Sequence, residues 1–168
     1  MSQITFMGNP LTLVGTQVQP GDTLPTTVLH ASDLSEFTFD SLRGKTVVLS
    51  TVPSLDTPVC EAQTRHFNEA ATELGEDVVV VTVSMDLPFA QARFCTVAGI
   101  ERVIPLSDYR TREFAKATGL LIEELQLLTR AVLIADKTGV VRYVQLVEEM
   151  TTEPNYDEAL AALAEINA

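Results

Sequence analysis

The segment Pro53-Ser-Leu-Asp-Thr-Pro-Val-Cys60 sets a lone cysteine where protein physics favours reactivity. It follows the apolar run Thr46–Ser50 and opens a helical pattern, with Thr57 in the N-cap position and Pro58 at the first helical position, where a missing N–H costs nothing. Cys60 then falls third in the helix, beside unpaired backbone N–H groups and the positive end of the helix dipole. Such a setting favours thiolate, the nucleophilic form; cysteines at helix N-termini can fall from about 8.5 to roughly 3.5–7.5. The alternative is a small buried hydrophobe, and for the second cysteine, Cys95, that alternative is stronger.

Other chemistries that use cysteine fit less well. Cys60 and Cys95 are not a Cys-x-x-Cys pair, which disfavours a reductase needing both sulfurs in one turn. His30 and His66 offer no spacing that would complete a zinc site, so no metal is expected. A cysteine hydrolase needs a base beside its nucleophile, and His66 lies about 240° round the helix from Cys60. The spacing predicts His66 on a solvated helix face and His30 in a loop.

The elements that must position Cys60 are legible as alternating runs. Val78–Val83 is an unbroken β-branched run, the pattern of a strand buried on both faces. The helix after Cys60 carries Phe67, Ala70, Ala71 and Leu74 and is expected to end at Gly75. Asp86 is expected to cap a helix from Leu87 to Ala98, with Leu87, Ala90, Phe94 and Ala98 inward and Gly99 as its stop. Cys95 falls roughly 100° from that stripe. A further helix is predicted over Arg110–Thr118. Ala131–Ala135, the turn Asp136–Gly139 and Val140–Leu146 read as a hairpin of two central strands. Pro154 is expected to open a last helix bearing Tyr156, Leu160, Leu163 and Ile166. Ile4–Phe6 and Leu11–Val14, separated by Gly8-Asn9-Pro10, read as an N-terminal hairpin. The order predicts an α/β fold with a mixed sheet flanked by helices.

Composition narrows the class. With 168 residues, 46% hydrophobic and 20% charged, the chain is expected to fold as one domain over residues 1–168. A net charge of −12 disfavours nucleic acid or an anionic membrane as partner. No run approaches the roughly 18 apolar residues of a membrane span, and the N-terminus lacks the features of a signal peptide, so a cytoplasmic location is expected.

At this point the residues carry a resemblance. Pro53-x-x-x-Thr57-x-x-Cys60 resembles the peroxidatic-cysteine signature of the peroxiredoxins. Gly8–Leu13, Asp86–Gln91 running to Phe94-Cys95, Leu128–Val132 and Glu153–Leu160 narrow it to the thiol peroxidase subfamily, the atypical two-cysteine peroxiredoxins. The match runs from about residue 4 to the C-terminus and shows no departure at the signature positions. The resemblance implies a thioredoxin-like fold with residues 1–18 as an N-terminal β-hairpin extension. It implies that Cys60 attacks peroxide, that Thr57 orients it, that Pro53 shields the sulfur and that Arg130 stabilises the thiolate and the departing oxygen. Cys95 would resolve the sulfenic acid into an intramolecular Cys60–Cys95 disulfide, reached by local unwinding and reduced by a thioredoxin-like protein. The substrates implied are hydrogen peroxide and organic hydroperoxides, the assembly a homodimer, and no cofactor is implied. A redox relay and a non-enzymatic interaction domain are the competing readings.

Overall fold

The chain enters through a tight hairpin, β1 (Ile4–Phe6) pairing antiparallel with β2 (Asn9–Leu11). Met7 and Gly8, at φ 51° and 84°, form its two-residue turn, the left-handed pair that matches strand twist. The hairpin is therefore tighter than expected, and Asn9 and Pro10 are strand residues, not turn residues. The computed structural model describes residues 4–167; residues 1–3 of the expected 1–18 extension and residue 168 lie outside the described residues.

The following elements are β3 (Leu13–Val14), β4 (Leu29–His30), β5 (Glu36–Phe37) and β6 (Thr46–Thr51). Then come α1 (Pro58–Glu73), β7 (Val78–Ser84), α2 (Pro88–Ala98), β8 (Val103–Ser107) and α3 (Glu113–Thr118). The chain closes with β9 (Leu121–Ile122), β10 (Leu127–Leu128), β11 (Ala131–Ala135), β12 (Val141–Leu146) and α4 (Tyr156–Ile166). A seven-stranded sheet runs in the order β12-β11-β6-β7-β8-β4-β5. Its centre, β6, β7 and β8, is parallel, and β11, β12, β4 and β5 pair antiparallel. This is the mixed α/β fold expected, with the Val78–Val83 run as the middle strand. β12, expected to be central, is instead the edge, which is why most of its residues are only half-buried.

Strand alternation assigns the two faces. Val47, Leu49, Val81, Val83 and Leu133 point toward α3 and the loops around Leu24, Phe39 and Leu120. Val48, Val80, Val132 and Ile134 point toward Phe67 and Ala71 of α1 and Ala159 and Leu163 of α4. Both faces of the parallel strands are thus covered, as that sheet type requires. The face of α1 toward the sheet reads Cys60, Gln63, Thr64, Phe67 and Ala71, the spacing of one helical stripe. Among the described residues no helix is long and apolar enough to cross a membrane.

Several helix ends differ from expectation, each for a local reason. α1 stops at Glu73 because Leu74 turns extended, one residue before Gly75. α3 starts at Glu113, not Arg110, because the Asp108 carboxylate reaches forward to accept the Phe114 and Ala115 N–H groups at 3.3 and 2.8 Å. α4 is capped by Asn155, whose side chain accepts the Glu158 N–H at 3.0 Å, so Pro154 precedes the cap. Gly99 ends α2 in the left-handed conformation, as expected.

Gly119 closes α3 at φ +70°, and a Cβ there would run into the Thr16 carbonyl. At Gly99 the φ is +69°, but a Cβ meets nothing. Gly119→Ala should cost about 3 kcal/mol from strain plus overlap, and Gly99→Ala about 1 kcal/mol from strain alone; urea denaturation of the two variants measures the difference. A second expectation concerns pH. Burial pushes the Asp108 carboxyl up to about 6, against the pull of the Ala115 and Phe114 N–H groups. The folded form therefore takes this proton more readily than the unfolded chain, and the contribution to stability is lost as pH rises from about 4 through 6. Asp108→Asn should flatten that part of the stability profile; an unchanged slope between pH 4 and 6 would contradict it.

Candidate active site

The first turn of α1 is built by two neighbouring residues with complementary restrictions. Thr57 is extended at φ −125° and ψ 149°, and its Oγ1 accepts the Cys60 N–H at 3.4 Å while donating to the Ser54 carbonyl at 3.2 Å. Pro58 takes the first helical position, where no N–H is missed. Cys60 is therefore third in the helix, as the spacing predicts. The free first-turn donors are fewer than expected, since Pro58 has none and Thr57 takes the Cys60 amide. The Cys60 side chain is fully buried against Val52 and Leu55, with Phe94 of α2 packed on the same cluster. Pro53 is buried between β6 and this loop.

Arg130 directly precedes β11 and is 2% exposed. Its Nε and Nη2 donate to the Met150 carbonyl at 3.2 and 2.9 Å, and its Nη1 donates to Gln63 Oε1 at 2.9 Å. No carboxylate pairs with it among the described residues. Gln63 in turn donates through Nε2 to Ser50 Oγ at 2.5 Å. Since Gln63 lies one turn beyond Cys60 on the same stripe, the guanidinium is anchored to the cysteine's own helix. The Met150 end is anchored too. Glu149 accepts from the Thr151 hydroxyl and the Gly8 N–H at 2.6 and 2.9 Å, contacts that hold its carboxyl down near 2. The Met150 N–H donates to the Thr5 carbonyl at 2.9 Å. The β1–β2 hairpin thus braces the turn that holds Arg130.

Cys95 lies on α2, and both cysteines are free thiols. The face of α2 differs from expectation in its first turn: Phe94 and Ala98 pack inward as expected, but Leu87 and Ala90 are exposed and the buried residues are Pro88 and Gln91. Gln91 takes the inward place expected of Ala90 because its amide is spent on Ser84 and the Leu106 carbonyl, and Cys95, four residues on, also faces the core. Cys95 is half-buried against the cluster under α1, and burial pushes its thiol up. Asp86 does not cap this helix. It accepts Ser54 Oγ–H and the Leu55 N–H at 2.7 and 2.8 Å, bracing the loop before Cys60. An open cleft of about 730 Å³ runs between the two segments, lined by Thr57, Pro58, Glu61, Ala90, Arg93 and Phe94. Phe94 belongs both to this cleft and to the wall of the Cys60 pocket.

The histidines take no part in this arrangement. His30 is a buried strand residue of β4, not a loop residue, set edge-on to Tyr109 at 5.9 Å. His66 is half-buried and stacks on Tyr156 at 3.7 Å, 12° from parallel, which covers the face expected to be solvated. The structure brings Thr57 and Cys60 together, buries Pro53 in the loop before them and ties Arg130 to the Cys60 helix through Gln63. Cys95 stays apart, packed on the cluster under α1 and not on the one that encloses Cys60. Gln63, Asp86, Gln91 and Met150 are not found as site residues by sequence reasoning. A glutamine at i+3 from Cys60, on the helical stripe that also carries Phe67 and Ala71, is the one signal that points to any of them.

Removing Gln63's acceptor would leave one Arg130 N–H buried and unpaired. Gln63→Leu should therefore destabilise by about 1–3 kcal/mol, whereas Gln63→Glu, which keeps the acceptor, should cost less; equal losses in thermal or urea melts would contradict this link.

Comparison with known proteins gives a consistent result. The Redoxin family profile matches residues 19–160. A thiol peroxidase of Halalkalibacterium halodurans is 51% identical, over 96% of this chain and 97% of that protein. One from Bacillus subtilis is 48% identical over 96% of each. Among solved structures, a peroxiredoxin-like protein from Aquifex aeolicus is 47% identical and superposes with a TM-score of 0.92, covering 99% of this chain and 98% of that one. Likeness of this extent, in sequence and in backbone alike, means that the chain belongs to the Redoxin family, among its peroxiredoxin-type thiol peroxidases.

Proposed function

We propose that this thiol peroxidase reduces hydrogen peroxide and organic hydroperoxides at Cys60 and closes its cycle through Cys95. The observation that carries the reading is the buried Arg130 guanidinium, which has only neutral acceptors and is fixed to the Cys60 helix one turn from the sulfur. A desolvated cation without a carboxylate favours an anion beside it, and the reaction supplies two: the attacking thiolate and the departing oxygen.

In the first step the Cys60 sulfur attacks one peroxide oxygen, an S–O bond forms and the O–O bond breaks. The departing oxygen takes a proton and leaves as water or alcohol, and Cys60 is oxidised to a sulfenic acid. Thr57, whose hydroxyl already lies beside the Cys60 amide, orients the peroxide, and Pro53 keeps bulk water from the sulfur. In the second step the Cys95 sulfur attacks the sulfenic sulfur; an S–S bond forms and hydroxide leaves with the thiol proton as water. A thioredoxin-like dithiol then reduces the Cys60–Cys95 disulfide by exchange and is itself oxidised. In the same reading the chain acts as one catalytic domain over residues 1–168, forms a homodimer, works in the cytoplasm and engages neither nucleic acid nor membrane.

Peroxide consumption coupled to thioredoxin and its reductase tests this. Cys60→Ser should abolish turnover, because a serine hydroxyl is negligibly ionised near neutral pH. Arg130→Ala should slow the first oxidation by roughly 10²–10³, the cost of losing an oxyanion-type donor. Cys95→Ser should react once with peroxide, then stall, and under excess peroxide its Cys60 should drift to sulfinic acid. Mass spectrometry showing a free Cys95 thiol in wild-type protein after one equivalent of peroxide would remove Cys95 from the cycle.

A further inference from the structure

Three side chains outside the proposed chemistry form one hydrogen-bonded clasp joining the two segments that carry the cysteines. Asp86 follows β7 and holds the loop before Cys60 through Ser54 Oγ–H at 2.7 Å and the Leu55 N–H at 2.8 Å. Its Oδ2 also accepts Ser84 Oγ–H at 2.7 Å. Ser84 Oγ in turn accepts from Gln91 Nε2 at 3.0 Å, and the same Nε2 donates to the Leu106 carbonyl at 2.8 Å. Ser84 and Gln91 are both 0% exposed, and Gln91 sits one helical turn before Cys95.

Beyond the clasp, α2 is held by the half-buried Phe94, Cys95 and Ala98 and by Arg65 Nη1, which donates to the Ala98 carbonyl at 2.9 Å. Pro88 is its other buried residue, Phe89 and Val97 stand 66% and 80% exposed, and its N-cap position carries no side-chain hydrogen bond. Gln91 Oε1 has no partner among the described residues, so the buried amide contributes less than its two donated bonds suggest. Apolar contacts weaken gradually with separation, but hydrogen bonds depend steeply on distance and angle and are soon lost. The clasp is therefore lost early in any lifting of α2.

We infer that Ser84, Asp86 and Gln91 are positioning residues that make release of the Cys60 loop and release of the Cys95 helix one cooperative event. If residues 54–57 unwind, Asp86 loses two donors and turns to water, Ser84 loses its acceptor, and Gln91 loses a polarised partner. If α2 lifts first, the same chain breaks from the other end. The inference rests on the proposed joining of Cys60 and Cys95, and gives it a reason: neither sulfur leaves its pocket while the other remains docked.

Hydrogen exchange followed by mass spectrometry on the reduced protein, without peroxide, tests the coupling. Gln91→Met keeps the side-chain length and removes the amide. It should speed exchange roughly five- to tenfold, about one hydrogen bond's worth, in residues 53–60 as well as in α2. Ser54→Ala, at a half-exposed position, removes one contact to Asp86 without touching α2 or the core. It should nevertheless speed exchange in α2, while α3 and α4 keep wild-type rates in both variants. Exchange that rises only in the mutated segment would overturn the inference, and Ser54→Ala decides the matter even if Gln91→Met fails to fold. Because the protein is reduced throughout, the outcome stands whether or not Cys60 and Cys95 later join.

Discussion

A guanidinium that is 2% exposed must have its N–H groups met inside the protein, and that demand organises this molecule. Arg130 cannot give up its charge, so three segments far apart in sequence are arranged around it. The Met150 carbonyl comes from the turn after β12, Gln63 from α1, and the backbone of Arg130 itself from the start of β11. Each anchor needs a further anchor. Gln63 is fixed by Ser50 at the end of β6, and Met150 by a turn pinned through Glu149 to the N-terminal hairpin. A hairpin that adds little to the main core thereby becomes part of the site's support.

The location of this polar seam follows from the sheet. β6 ends in Ser50-Thr51, β7 in Ser84 and β8 in Ser107, so the parallel strands all finish in hydroxyls at one edge. Open α/β sheets place their chemistry outside the carboxyl ends of parallel strands, because the chain leaves the sheet there and backbone groups become available. Here the hydroxyls serve the neighbouring segments: Ser50 accepts from Gln63, Ser84 from Gln91, and Ser107 Oγ donates to the Asp86 carbonyl at 2.5 Å. The apolar clusters fix the sheet and helices. The hydroxyl row fixes Gln63 of α1 and Gln91 of α2 against the strand ends.

What can be read from the sequence divides along the same line. β6, β7 and the start of α1 are legible because each rests on local chemistry: β-branched runs for the strands, Thr57 with Pro58 for the helix start. The features that local patterns misplace depend on contacts distant in sequence. Asp86 has the residue type of an N-cap, but Ser54 and Leu55, about thirty positions earlier, offer it better-placed donors. The inward face of α2 is read correctly at Phe94 and Ala98 but misplaced in its first turn, because hydrophobic periodicity cannot register a buried glutamine. β12 carries the composition of a central strand, yet its place at the edge is set by the order of the whole sheet. His30 looks like a loop residue until β4 pairs with Ser107 of β8. Cys60 is legible as a cysteine at a helix start, whereas its enclosure by Phe94 depends on where a second helix docks.

That docking bears on the proposed cycle in a way the resting geometry makes clear. Burial pushes the Cys95 thiol up, so while α2 is seated Cys95 is a poor nucleophile as well as a displaced one. Lifting α2 into water removes the desolvation that suppresses ionisation, and the same movement frees the sulfur to travel toward Cys60. Position and reactivity of the Cys95 sulfur therefore change together, and under the proposed coupling both would wait on the segment around Cys60. In the proposed cycle a sulfenic acid at Cys60 would wait for that movement, and the strength of the contacts seating α2 would set the length of the wait.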